Sequence, residues 1–465
     1  MSHEAGWAHA PGALRGPAWL QPPTDPNDLV QHLWSSTAHK VDGELHVGGL
    51  SVPDLVADVN TPAYVLDEAD FRMRARAFRE AFSAYDVFYA GKAFLCTAVA
   101  AWVQEEGLCL DVCSNSELTV ALRAGFEPAK IGYHGNNKTM TELRRAIAEG
   151  VGRIVVDSFD ELERLETITS EPGMRARVMI RVTAGVEAHT HEYIATAHED
   201  QKFGFSITSG DAFEAVRRAE AAPGIDLIGL HSHIGSQIFD SSGFEVAARR
   251  VLALQARVSS ELGVTLPEMD LGGGFGIAYT TQDDPADPAQ LATEMTKIVE
   301  HECRALGIPE PRLSIEPGRA IVGPAMCTVY TVGTVKAVQL DGGAVRTYVS
   351  VDGGMSDNIR TALYDADYSC TMASRASDAV PVLARVVGKH CEAGDIVVKD
   401  EFLPGDIRPG DLVAVPGTGA YCRSMASNYN HALRPPVVAV KDGVARVVVR
   451  RETEDDLLAT DMGDQ

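Results

Sequence analysis

The sequence predicts an α/β fold in which a (β/α)8 barrel is followed by a mostly β domain. Three observations predict it. Eight apolar, strand-like runs recur between residues 87 and 316, and each but the last is followed at once by a helical pattern. Those patterns, such as SELTVALRAG and TELRRAIAEG, are rich in Ala, Glu, Arg and Leu and end in glycine, a good helix stop. Beyond residue 320 the chain turns Val- and Thr-rich with glycine punctuation, as in TVYTVGTVKAVQL and VARVVVRRET, which is strand composition. A doubly wound open sheet is the rival architecture, and eight repeats over roughly 250 residues favour closure.

Taken in order, residues 1–30 are rich in Pro, Gly and Ala and read as a flexible N-terminal extension. Residues 31–66 hold short strand-like pieces, ELHVGGLSV and PAYVLD, expected to join the β domain. The barrel spans 67–318, with strands at VFYA (87–90), CLDVC (109–113), KIGYH (130–134), RIVVD (153–157), ARVMIRV (176–182), DLIGLHSHI (226–234), PEMDL (267–271) and RLSIE (312–316). Residues 319–465 form the β domain and end in a solvated acidic tail.

Bulk properties narrow the partners. Among 465 residues, 41 are Lys or Arg and 65 are Asp or Glu, a formal charge of −24. Phosphate backbones and anionic membranes would repel such a chain, so neither nucleic acid nor membrane is expected as a partner. No apolar run approaches the roughly 20 residues of a membrane span, and the first residues lack the pattern of a signal peptide. The eight cysteines form no CxxC pair and no zinc-ligand spacing, which reads as reduced thiols in the cytoplasm. Cys96, Cys109, Cys113, Cys303, Cys327 and Cys370 are expected to be small buried or half-buried side chains.

Barrel chemistry belongs at the C-terminal ends of the strands. Read in order, those ends offer Lys92; Asp111 and Ser114; His134 and Asn136; Asp157; Arg181; His231 and His233; GGGFG at 272–276; and EPGR at 316–319. GGGFG presents backbone N–H groups with no Cβ in the way, at the strand-7 position where this architecture binds phosphate. A tight turn alone would also account for it. Arg319 adds a fixed positive charge nearby. A phosphate, a lysine and a carboxylate at one barrel mouth point to pyridoxal 5′-phosphate. Lys92 would be its amine, desolvated by Phe88, Tyr89 and Phe94 so that its pKa falls. Glu316 would keep the pyridine nitrogen protonated, and His233 would lie against the ring. Against this, a lone lysine after a strand is more often a surface residue. His231 and His233 on one strand face could mean zinc, but no third ligand of sensible spacing accompanies them. The other pair, in EAHTHEYIATAHEDQ, reads as a loop.

From about residue 50 to 450, FYAGKAF, LDVCSNSEL, HGNNK, GLHSHIGSQIFD, LGGGFG, EPGRAIVG, VDGGMSDNIRTALY, GKHCEAGD and GAYCRSMASNYN resemble, in order, the motifs of the diaminopimelate decarboxylases. These are fold-type III pyridoxal-phosphate enzymes, alongside alanine racemase. The resemblance implies a cofactor-binding barrel plus a β domain, and a homodimer with active sites at the subunit interface. It implies cofactor contacts from Lys92, His233, Ser236, Gly272, Gly273, Gly274, Glu316, Gly318, Arg319 and Tyr421. It implies substrate contacts from Arg319, Arg360, Tyr364, Glu392 and Tyr421. Cys391 and Glu392 would come from the partner chain, and Cys391, with Lys92 as the alternative, is the implied proton donor. Where the family commonly has CESGD this chain has CEAGD, and Ala393 removes only a hydroxyl.

The implied reaction is decarboxylation of meso-2,6-diaminopimelate at its D-centre, giving L-lysine. Such a substrate carries two carboxylates and two ammonium groups, so its pocket needs cations, Arg319 and Arg360, and an anion, Glu392. A D-lysine or D-ornithine decarboxylase would share most of these motifs. A silent, regulatory protein of the same fold is the other alternative, and retention of Lys92, Glu316 and Cys391 together speaks against it.

Overall fold

The computed structural model describes residues 16, 17, 19–185, 202–340 and 344–463. The His189-Thr190-His191 pair of imidazoles and residues 1–15 of the N-terminal extension lie outside them. The described chain falls into two compact units.

The first unit, Arg72–Gly276 with Pro285–Ile321, is a closed barrel. Its strands are β1 (Asp86–Ala90), β2 (Cys109–Val112), β3 (Ile131–Tyr133), β4 (Arg153–Val156), β5 (Ala176–Thr183), β6 (Ile225–His231), β7 (Glu268–Asp270) and β8 (Arg312–Ile315). Each pairs in parallel with the next, and Ser314 of β8 pairs with Asp86 of β1 to close the circle. Closure satisfies every strand edge and leaves the βα loops together at one end. Several loops end in side-chain helix caps. Ser114 accepts from Glu117 N–H, Thr139 and Glu142 form a reciprocal capping box, and Ser158 accepts from Glu161 N–H.

The second unit comprises the described residues up to Phe71, Ile277–Asp284, and those from Val322 onward. Its main sheet runs in the order Ile396–Pro404, Pro381–Val387, Val345–Val351, Met326–Gln339, Ala63–Asp67, Val437–Lys441, Val444–Val449. Ala63–Asp67 is the early strand that joins this sheet; His39–Val41, Glu44–Val47 and Leu50–Ser51 make a three-stranded sheet of their own. One core gathers Trp34, Leu45, Val52, Val65, Val329, Leu412 and Val438, so residues far apart in sequence bury a common apolar face. Asn27 is pinned by two 2.9 Å hydrogen bonds with the backbone of Ser377.

Candidate active site

In the barrel unit, residues at the ends of β1, β2, β3, β6, β7 and β8 form one polar cluster. Lys92 follows β1. Phe88, Tyr89 and Phe94 are buried, as expected, but Lys92 itself is exposed, which corrects the expectation of a buried amine. The aromatic side chains pack inward while the lysine sits on the turn between strand and helix, where it need not follow them. Its positive charge acts on Asp111, Cys113, Glu117 and His233, which places it at the barrel mouth. Cys113, expected to be buried or half-buried, is exposed at the end of β2.

Glu316 follows β8 and is 7% exposed. Its Oε1 lies 3.0 Å from His231 Nε2, 3.3 Å from His134 Nε2 and 4.0 Å from an Arg153 nitrogen. None of these approaches has hydrogen-bond alignment at that oxygen. His134 Nε2 also lies 3.1 Å from Asp111 Oδ1. Burial drives the His134 imidazole down to about 3 and the Asp111 carboxyl up to about 7. His134 is therefore neutral at pH 7. Arg153 stays charged: burial works against it, but Asp270, Asp111 and Glu316 outweigh burial. Its guanidinium lies over the Phe88 ring at 3.6 Å, donates to Ser314 Oγ at 2.9 Å and pairs with Asp270.

Two potential co-ligands for His231 do exist, contrary to expectation, and His233 is not one of them. His134, His231 and Glu316 bring potential ligand atoms within 4.8 Å of one another. Spacing along the chain hid this because the three come from β3, β6 and β8. The Arg153 charge argues against a cation there, since like charges about 5 Å apart repel by on the order of 3 kcal/mol at an effective dielectric of 20.

The glycine loop after β7 is held from both sides. Gly272 N–H donates to Asp270 Oδ1 at 2.6 Å and Gly273 N–H donates to His233 Nδ1 at 3.2 Å. The second bond makes Nδ1 an acceptor, so the ring proton sits on Nε2. Burial, then the charges of Lys92 and Arg181, hold His233 well below the ordinary imidazole range. A Cβ on Gly273 would meet the Glu316 carbonyl oxygen at 2.2 Å, and one on Gly274 the Gly235 carbonyl oxygen at 2.5 Å. The Gly235 and Gly274 N–H groups have no acceptor among the described residues. Beside them Arg319 Nη2 donates to Ser236 Oγ at 2.9 Å, and Gly318 packs against Ala90.

Other strand-end candidates have structural work. Ser114 is a helix cap. Asp157 accepts from Gly204 N–H at 2.9 Å and lies 3.7 Å from Arg181, whose guanidinium covers Phe203 at 4.4 Å. Asn136 is half-buried.

In the β unit, Arg360 opens the short helix Arg360–Tyr364 and is buried. It donates to Tyr368 Oη at 2.5 Å and lies over the Tyr279 ring at 4.6 Å. No carboxylate pairs with it among the described residues, and its Nε has no acceptor there. Tyr364 is half-buried at the other end of the helix. Tyr421 is half-buried with a left-handed φ of 64°, next to Cys422, whose sulfur is 3.6 Å from Tyr368 Oη. Cys391 and Glu392 are not in that cluster; both are exposed on the loop before Ile396–Pro404. Sequence reasoning missed Arg153, Asp270, Tyr279 and Tyr368. The one available signal was charge, an Arg heading RIVVD and an Asp inside PEMDL.

The family model described as pyridoxal-dependent decarboxylase, pyridoxal binding domain, matches residues 68–323. The chain is 55% identical over 440 residues to diaminopimelate decarboxylase of Mycobacterium tuberculosis, covering 93% of this chain and 98% of that protein.

This chain belongs to the diaminopimelate decarboxylase family.

The diaminopimelate decarboxylase of Bacillus subtilis is 43% identical, over 90% of this chain and 95% of that one. The structure of the M. jannaschii diaminopimelate decarboxylase in co-complex with L-lysine matches with a TM-score of 0.86 at 29% identity, covering 92% of this chain and 98% of that one. A lysine/ornithine decarboxylase from Vibrio vulnificus, complexed with cadaverine, matches at a TM-score of 0.71 and 22% identity, a likeness of fold alone. Pyridoxal 5′-phosphate is the cofactor of a diaminopimelate decarboxylase barrel, and the residues here fit it. Two N–H donors without acceptors adjoin Ser236 and Arg319 and suit a phosphate. The carboxylate of Glu316, beside the neutral His134 imidazole, suits a protonated ring nitrogen.

Proposed function

We infer that this chain removes CO2 from the D-centre of meso-2,6-diaminopimelate, leaving L-lysine. Beyond family membership, the observation that carries the substrate class is Arg360. A buried guanidinium is costly without an anion, and among the described residues this one has phenol rings and the Cys422 thiol beside it but no carboxylate. A carboxylate of the substrate supplies that anion, and the planar fork grips it through two hydrogen bonds. Arg319 serves the other end of a diacid, whereas a monocarboxylate such as D-lysine needs only one such contact.

Bound pyridoxal 5′-phosphate supplies an electron sink for the pair left behind as CO2 departs. Lys92, His233, Ser236, Gly272–Gly274, Glu316, Gly318, Arg319 and Tyr421 would hold it. Lys92 would be the amine that anchors the cofactor. Glu316 would keep the ring nitrogen protonated, with Arg153, His134 and His231 gathered around its Oε1. Tyr364 and Tyr421 complete the substrate contacts, and Glu392 meets the distal ammonium. Cys391 Sγ holds the proton that returns to the carbon losing CO2.

Cys391 and Glu392 act from the partner subunit of a homodimer. Their exposure in the single chain supports this, because a catalytic thiol meant for its own barrel gains nothing from facing solvent. All eight cysteines are free, which supports a reducing, cytoplasmic setting. No described helix is long and apolar enough to cross a membrane.

The test is CO2 release, with added pyridoxal 5′-phosphate, from meso-diaminopimelate and from D-lysine. Turnover on the diacid is expected; turnover on D-lysine alone would overturn the assignment. Lys92→Ala should lose both the visible absorbance of bound cofactor and all measurable CO2 release.

A further inference from the structure

The motifs VDGGMSDN, GKHCEAGD and SNYN contain more polar residues than the reaction uses. Within the β unit these spare residues converge on one carboxylate. Asp395 is 3% exposed and accepts Met355 N–H on Oδ1 at 2.6 Å and His390 N–H on Oδ2 at 2.8 Å. Its own backbone closes the same loop, with Gly388 N–H donating to Asp395 O at 2.9 Å and Asp395 N–H to Glu392 O at 3.1 Å. The fit leaves no room. A Cβ on Gly354 would meet Asp395 Oδ1 at 2.4 Å, and one on Gly388 would meet Oδ2 at 2.2 Å. The His390 ring is fixed in turn, by Ser356 Oγ at 2.8 Å and Asn430 Oδ1 at 3.1 Å.

Two buried side chains, Asp395 and His390, therefore bracket the exposed pair Cys391 and Glu392. A short exposed loop would otherwise sample many conformations and give up that freedom on docking. Here the order is present before any partner arrives.

We propose that Asp395 and His390 are positioning residues for the reaction, holding Cys391 and Glu392 ready to serve the partner subunit's barrel. The proposal rests on the shared-site reading above. It assigns a task to the spare motif residues: Gly354 and Gly388 make room for the carboxylate, and Ser356 locks the imidazole.

Asp395→Asn keeps the size of the side chain but presents an NH2 group to one of two N–H donors. Misplacing a reacting group by about 1 Å costs up to roughly a hundredfold in rate, so kcat should fall between about tenfold and about a hundredfold. The decisive readout is which subunit the defect follows. Mixed with Lys92→Ala protein, Asp395→Asn protein should regain activity, because hybrid dimers pair an intact Lys92 with an intact Cys391 loop. Mixed with Cys391→Ala protein it should regain none. Recovery between Lys92→Ala and Cys391→Ala proteins is the control for the shared site.

If that control recovers while Lys92→Ala with Asp395→Asn does not, Asp395 acts elsewhere and the proposal fails. If the control itself fails despite subunit exchange, the shared-site reading falls, and a second measurement decides. That measurement is the rate at which iodoacetamide alkylates Cys391 in the holoenzyme, followed on the Cys391 peptide; the reagent is smaller than the substrate. A severalfold change in Asp395→Asn is expected, and an unchanged rate overturns the positioning role. Should Asp395→Asn not fold, Ser356→Ala, which removes only the partner of His390 Nε2, goes through the same two measurements with the same criteria.

Discussion

The barrel and the β unit build functional geometry in opposite ways. In the barrel, eight parallel strands end at one rim, so Lys92, Asp111, His134, His231, Gly272 and Glu316 gather there because each lies at or just past the end of a strand. Backbone closure places them, and side chains such as Arg153 and Asp270 tune the charge beneath. In the β unit the chemistry stands on loops and a five-residue helix, Arg360–Tyr364, and side-chain hydrogen bonds across long sequence gaps place it. Asp395 reaches Met355 across 40 residues, and His390 reaches Asn430 across 40 more. A site placed by main chain is vulnerable to backbone changes. One placed by side chains is vulnerable to single polar substitutions.

The largest expected effect tests the barrel side of that contrast. Gly273→Ala drives a Cβ into the Glu316 carbonyl oxygen at 2.2 Å, and neither backbone can yield without moving the loop or the carboxylate. CO2 release should drop by about a hundredfold, as a loop displaced by about 1 Å implies, and cofactor absorbance should fall with it. Near-normal cofactor binding would show that the loop is not backbone-limited.

Next comes the side-chain arm. Arg360→Lys keeps the charge but loses the planar stack on Tyr279 and the two-pronged grip on a carboxylate. The KM for the diacid should rise about tenfold or more while the cofactor spectrum stays normal, consistent with losing one charge-assisted hydrogen bond. A fall in kcat at unchanged KM would move Arg360 from substrate binding to another role.

The smallest effect concerns stability in the β unit. Burial pushes the Glu401 carboxyl up from 4.5 to about 7, and Asp357 from 3.8 to about 7. Folding therefore takes up protons between those values. The favourable contribution is complete below the lower value and is lost as pH rises through about 7. Thermal unfolding from about pH 5 to about pH 8 should show declining stability, and Glu401→Gln should decline less steeply. Equal slopes in the two proteins would remove Glu401 as a source.

Several features were legible without coordinates. Periodic strands and glycine stops disclose the barrel because a strand's burial and a helix's end are local properties. Lys92, His233, Glu316 and Arg319 were legible as strand-end residues. Their physical states were not. Lys92 is exposed where its apolar neighbours implied burial, since a turn frees one side chain from the direction of the next. His231 meets His134 and Glu316 only because three strands adjoin in a closed circle. The Tyr279 face under Arg360 comes from Ile277–Asp284, a segment between two barrel strands that groups with the β unit.

By itself, then, the amino-acid order determined the succession of strands and helices and the residue types offered at each strand end, because propensity and periodicity act over a few residues. Tertiary structure alone decided which of those residues face one another, which are buried, and where their protons sit. Burial and charge pairing depend on neighbours that the chain brings from tens to hundreds of positions away.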